Sequence, residues 1–279
     1  MRTVDDAALD AATAQRFRSD YDYALFEYLR SVKPIQALER AGVPVGGCVL
    51  DDGCGGGGIA VSLGEESTFA VGLDLDGRFR GAGTRLAAEK AVARLGFVQG
   101  DGQRLPFRDG VFDLVVSHSV IEHVVSADAY LRECHRVLRA GGVLYLSTAP
   151  YLSLAGAHLP RLLVPLPLHV LIGRRSAFAF FRFLAARAPW LLQEGREANT
   201  FIALAEKGRK KEDDLLQKVT VRRLESWVRA CGFRALREDR YVTGFFRAFL
   251  PPPLRRRLTD ASWAQDLMIG QIQCVLQKP

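Results

Sequence analysis

Four aspartates in the first half of the chain stand where short apolar runs give way to polar residues, and a stretch of glycines follows the first two. Residues 49–58 read V-L-D-D-G-C-G-G-G-G, with Asp51 and Asp52 closing the apolar run; Asp74 closes the next one, followed by Leu75, and Asp101 lies in Q-G-D-G beside Gly102. Glycines between a strand and a helix allow a tight turn and a close backbone approach, so that the helix's first amides face a polar ligand. A carboxylate at a strand end can accept hydrogen bonds from both hydroxyls of a ribose, the role expected of Asp74 against that of a helix cap. Asp101 could accept from an adenine amino group or simply close a turn, and Asp51 could orient the loop or receive an ammonium through water. Gly53, Gly55 and Gly58 also satisfy G-x-G-x-x-G, so spacing alone permits a dinucleotide as well as any other nucleoside ligand. Acids at separate strand ends suit a positively charged cofactor, and the arginine cluster or P-loop lysine that a polyphosphate would want is missing. Proton removal near neutral pH falls to histidine, of which there are five. His158, in A-H-L-P, is the preferred base, with His123 and His118 as the other candidates, while His135 sits inside a periodic helix and reads as structural.

These groups must be held by elements that alternate. Short apolar runs at 48–50, 68–73, 97–99, 112–116 and 143–147 read as strands, and helical patterns at 59–63, 84–95 and 127–138 separate them, with Gly141 and Gly142 expected to end the last helix. Strands joined by helices imply right-handed crossovers and a mostly parallel sheet covered on both faces. Ligands of such a sheet lie at the carboxyl ends of its strands, where Asp51, Asp74, Asp101 and His118 fall. Asp113 begins a strand at the opposite end and reads as structural. Upstream, 7–17, 21–29 and 34–41 read as helices; Tyr21, Tyr23, Phe26 and Tyr28 either pack this arm onto the body or wall a substrate cavity.

A chain of 279 residues, 48% hydrophobic, can bury a full core. Its net charge of +7 admits a nucleic acid, a phosphorylated metabolite or a membrane surface as partner. The five cysteines, Cys48, Cys54, Cys134, Cys231 and Cys274, are dispersed and odd in number, which favours reduced thiols over a zinc site or a disulfide framework. The opening M-R-T-V-D-D has no apolar secretory core, so a cytoplasmic location is expected.

With these residues in view, the chain resembles the class I methyltransferases that use S-adenosylmethionine, in particular their small-molecule branch. The resemblance lies in V-L-D-D-G-C-G-G-G at 49–57, Asp74, L-P-F at 105–107, F-D at 112–113, E-H-V at 122–124 and R-V-L-R-A-G-G at 136–142, and covers residues 48–150 closely. It implies an α/β, Rossmann-like, seven-stranded and mostly parallel sheet with helices on both faces. It also implies S-adenosylmethionine as cofactor, with Gly53, Cys54, Gly55 and Gly57 beside the methionine part, Asp74 on the ribose, Asp101 and Gly102 around the adenine and His118 near the sulfonium. Four parts are expected: an N-terminal helical arm (1–47), the cofactor-binding core (48–150), an apolar and aromatic insertion (151–220) and a C-terminal completion of the core (221–279). Relatives in quinone biosynthesis and RNA-end methylation hold a divalent ion with E-x-x-E-H. Here Ser119 replaces the earlier glutamate in S-V-I-E-H; His158 or water could complete the set, but no metal is expected.

The insertion combines leucines and prolines with Phe178, Phe180, Phe181, Phe183 and Trp190, interleaved with Arg182 and Arg187. Prolines break its apolar runs below spanning length. It reads as a lid over an apolar acceptor, a homodimer surface or a peripheral membrane contact, and a charged turn is expected at 206–211. The expected acceptor is small or lipid-like, with O-methylation slightly ahead of N- or C-methylation. A nucleic-acid partner is not expected, since neither an RNA module nor a base-flipping motif is recognisable. A binding subunit without turnover is the alternative of a different class.

Overall fold

The computed structural model describes residues 5–154, 156, 158–160, 162–163, 166–192, 202, 204–206, 211, 213, 215–260 and 264–279. They form two compact units, one of residues 1–147, 226–238 and 273–279 and one of residues 148–225 and 239–272.

The first unit opens with three helices, α1 (Asp6–Gln15), α2 (Asp20–Arg30) and α3 (Val32–Arg40). Asp5 and Ser19 cap the first two by accepting from the amides of Ala8 and Asp22, satisfying donors that a helix start leaves unpaired. There follow β1 (Cys48–Asp52), α4 (Gly58–Gly64), β2 (Phe69–Asp74), α5 (Ala82–Glu89), β3 (Leu95–Gln99), β4 (Phe112–His118), α6 (Ala127–Val137) and β5 (Leu138–Thr148), and later β6 (Arg234–Val242) and β7 (Ile269–Gln277). The seven strands lie in the order β3-β2-β1-β4-β5-β7-β6, with β1 parallel to both β2 and β4, and β5 parallel to β4. The start of β5 exchanges hydrogen bonds with the end of β7, Gly141 to Lys278 and Lys278 to Gly142, so β7 runs against β5. From β1 the chain moves outward to β2 and β3, then returns to the other side of β1 as β4. That reversal opens a crevice at the carboxyl ends of β1 and β4.

The core beneath that crevice joins Ile35 and Leu38 of α3 to Val49, Leu114, Val116 and Tyr145 of the sheet and to Ile59 and Leu63 of α4. Each such side chain contributes about 1.5–3 kcal/mol by leaving water. Two boundaries depart from the periodicity. The helix expected over 84–95 stops at Glu89, because Ala91 turns left-handed (φ 54°) and Leu95 pairs in parallel register with Ala70. Gly141 and Gly142, expected to end a helix, lie inside β5, which begins at Leu138 directly after α6. Gly141 adopts φ 75° there, close to a register shift between β4 and β5.

The second unit has its own apolar core. In it Phe178, Phe181, Leu184 and Ala185 of α8 (Arg174–Arg187) pack with Leu192, Leu162 and Leu168, the last from α7 (Leu168–Leu171). Its parts are tied by Asp266, whose carboxylate accepts from the Val221 amide at 2.7 Å, and by Thr243, whose amide donates to the Met268 carbonyl. Residues 207–210 of the expected charged turn lie outside the described residues. Among the described residues no helix is long and apolar enough to cross a membrane.

Candidate active site

The glycine run does what its composition demands. Gly53, Gly55 and Gly57 take φ of 83°, 56° and 90°, a region L-residues rarely enter, and the amides of Gly53 and Cys54 both donate to the Leu73 carbonyl at the end of β2. Space forbids side chains as well as strain does. A Cβ on Gly53 would lie 2.3 Å from a Val120 methyl, and one on Gly58 would lie 1.9 Å from the Ala24 carbonyl of α2. The loop is therefore clamped between the segment after β4 and the N-terminal arm.

Carboxylates converge on it. Asp74 accepts from the Gly55 amide through Oδ2 and from the Asp76 amide through Oδ1, each at 2.8 Å. Each oxygen keeps a lone pair for a further donor. Leu75, next along, is exposed, an apolar face beside the acid. Asp51 is buried and its Oδ2 has no hydrogen-bond partner among the described residues; burial, reinforced by the charges of Glu27, Asp52 and Asp74, holds its carboxyl well above the usual range. Burial likewise pushes Asp52 up to about 7, against hydrogen bonds from Tyr130 and Cys134 of α6. Asp101 closes a turn by accepting from the Gln103 amide at 2.9 Å. Gly102 lies so close to Asp52 that a Cβ there would meet Oδ1 at 2.7 Å, so the turn after β3 touches the end of β1. Burial also raises the Cys54 thiol, leaving it a neutral wall of the loop.

Glu27 was not anticipated. It lies on α2 and is 4% exposed, with Oε2 accepting from the Gly56 amide at 3.0 Å and the Gly58 amide at 3.4 Å. Burial raises it to about 7, opposed first by the nearby Arg30 guanidinium. The available signal was an acid one helical turn from Ala24, within the aromatic cluster of the N-terminal arm. Arg30 stacks over Phe26 at 4.8 Å, and its Nε is buried without a hydrogen-bond partner among the described residues.

The histidines separate by environment. His118, at the end of β4, is buried and stacked on Tyr145, and its Nδ1 has no hydrogen-bond partner among the described residues. Burial, aided by the Arg30 and Lys33 charges, holds it well below the ordinary histidine range, so the ring is neutral. His123 follows in the turn after β4, its amide bonded to the Val120 carbonyl. His135 packs edge-on against Phe233, in keeping with a structural role. In the second unit His169 is buried with Nε2 2.7 Å from the Tyr151 carbonyl, and His158 takes a left-handed backbone, φ 52°. Asp113, at the far end of β4, accepts from the Cys48 amide at 2.7 Å and pairs with Arg139, ties of fold alone.

A methyltransferase-domain family model matches residues 50–146. A ubiquinone biosynthesis O-methyltransferase of Pseudomonas paraeruginosa is 30% identical over 53% of this chain and 65% of its own length; the chain spans 57–65% of the length of such curated relatives. A chain from the complex of a Haloferax volcanii methyltransferase activator with a methyltransferase superposes with a TM-score of 0.54 at 18% identity, covering 99% of this chain and 98% of that one. Phosphoethanolamine N-methyltransferase 2 of Haemonchus contortus, solved with S-adenosyl-L-methionine, gives 0.53 at 15% identity over 88% of this chain and 52% of its own. The strand order agrees with the fold of these neighbours, and residues 50–146 of this chain form a methyltransferase domain.

Proposed function

We propose that this protein transfers a methyl group from S-adenosylmethionine to a hydroxyl of a small or lipid-like acceptor. The observation that carries the reading is the ring of carboxyls from Glu27, Asp51, Asp52 and Asp74 around the glycine loop, with the buried Asp51 Oδ2 unpaired. An unsatisfied buried acceptor is costly, and a cationic ligand with donors relieves it. The residues present fit that cofactor. Asp51 would meet the ammonium, Asp74 the ribose hydroxyls, Leu75 and Asp101 with Gly102 the adenine, and the unpaired Arg30 Nε the carboxylate. Bound there, S-adenosylmethionine supplies an electrophilic methyl group. The protein's tasks are then to align the acceptor and to remove its proton.

His118 is a poor proton acceptor for that purpose, because its environment resists the charge, and it serves better as a wall near the sulfonium. His169 is committed to the Tyr151 carbonyl. His158 and His123 are left, and the left-handed backbone at His158, unusual for a residue with a side chain, favours the former as base. Relatives named for O-methylation support a hydroxyl acceptor. The five cysteines are free thiols, which suits the reducing cytoplasm.

The test is transfer of a labelled methyl group from the cofactor to lipid, small-metabolite, protein and RNA fractions, with mass spectrometry of the product. Label in an apolar hydroxyl compound, lost in His158→Ala although cofactor still binds, is the expected result. Label in RNA with a steep salt dependence, or cofactor binding without transfer to any fraction, would replace this reading with the nucleic-acid or binding-only alternative.

A further inference from the structure

The surface of the second unit carries a pattern that cofactor binding does not use. Between Glu133 and Glu194 the chain contains no aspartate or glutamate, and within that span α8 holds Arg174, Arg175, Arg182 and Arg187. One face of α8 is buried through Ala177, Phe178, Phe181, Leu184 and Ala185. At 3.6 residues per turn the opposite face centres on Phe183, with Arg175 and Arg182 to one side and Arg187 and Phe180 to the other. Phe183 is 61% exposed. The pattern continues at both ends of the helix: Leu171 and Ile172 stand out before its start, and Trp190, 69% exposed, after its end. Beside Trp190, Leu163 is also exposed and donates its amide to the Leu191 carbonyl. The helix itself is about 20 Å long.

Several large apolar side chains left exposed on one helix and the turns beside it mark a place that something covers. Its chemistry selects the cover. Phenylalanine, leucine and tryptophan flanked by arginines, with carboxylates absent along the segment, match an anionic lipid surface. The rings enter the acyl boundary, tryptophan sits at headgroup level and the guanidiniums meet phosphates. We propose that the exposed face of α8, with the turn before it and Trp190 after it, docks this protein on membranes containing anionic phospholipids. The docking face stands on the second unit's surface and is independent of the methyl-transfer reading.

The test is co-sedimentation of the full chain with vesicles of phosphatidylcholine alone and of phosphatidylcholine with a third phosphatidylglycerol. Expected is binding to the anionic vesicles at least tenfold tighter than to the neutral ones, weakening as salt is raised. Phe183→Ser with Trp190→Ser should lower binding about tenfold or more, and Arg182→Glu with Arg187→Glu should lower it roughly fivefold or more per arginine on anionic vesicles. Circular dichroism and cofactor affinity should be unchanged in both pairs, which separates lost docking from lost folding. Absence of binding to anionic vesicles, or binding undiminished in the folded Phe183→Ser/Trp190→Ser variant, would overturn the proposal. Self-association of the wild type abolished by the same pair, without vesicle binding, would overturn it in favour of a second copy.

Discussion

Replacing Glu27 by glutamine should make the protein more stable at alkaline pH. The carboxyl is raised from 4.5 to about 7 by burial, which corresponds to roughly 3 kcal/mol at 1.36 kcal/mol per pH unit. Below about pH 4.5 it is protonated in both the folded and unfolded chain and contributes nothing. Between about 4.5 and 7 the folded protein keeps a proton that the unfolded chain has released, so stability falls as pH rises, and above about 7 the loss is complete. Glutamine can still accept from the Gly56 and Gly58 amides but cannot ionise. The groups facing Glu27 that temper the effect are Arg30 and Arg78, which favour its charge, and Asp51, which opposes it. The stability of Glu27→Gln relative to wild type should therefore move in favour of glutamine by roughly 2 kcal/mol between pH 5 and pH 8. In urea unfolding of the cofactor-free proteins this is a midpoint difference on the order of 1 M. A difference that stays flat across that range, or moves against glutamine at pH 8, would mean that the amide hydrogen bonds outweigh desolvation and that the carboxylate sits there charged.

Other outcomes follow from the same geometry. Binding of S-adenosylmethionine near pH 6.5 should release protons, because a cation beside Asp51, Asp52 and Glu27 lowers carboxyls that burial has raised; calorimetry in buffers of different ionisation enthalpy measures this, and no buffer dependence would argue against a cationic ligand. Asp74→Asn should weaken cofactor binding about 10- to 100-fold, by loss of charge-assisted bonds to the ribose, with little change in unfolding. Gly53→Ala should cost about 2–4 kcal/mol and cofactor affinity together, since the new methyl meets Val120 at a left-handed backbone. Asp113→Ala should lower the melting temperature through Cys48 and Arg139 yet leave the cofactor dissociation constant unchanged.

The glycine loop and the acids at the strand ends were legible because their determinants are local. A strand that ends in acids and turns through left-handed glycines is encoded within about ten residues, and Asp51, Asp74 and Asp101 stand where strand ends must put them. Alternation of strand and helix implied a mostly parallel sheet, and the family resemblance implied seven strands; the order β3-β2-β1-β4-β5-β7-β6, with β7 running against β5, is seen only in the fold. Boundaries were less legible: α5 ends early because Leu95 belongs to an edge strand paired with β2, a long-range contact that helical periodicity does not register. What only the tertiary structure decided is which groups meet and at what charge. Glu27 reaches the glycine loop from another segment of the chain, Tyr130 and Cys134 of α6 come to Asp52, and His118 is withdrawn from water against Tyr145. Each of those facts depends on packing between elements distant in sequence, and burial, unlike residue type or spacing, exists only once the chain has folded around the group.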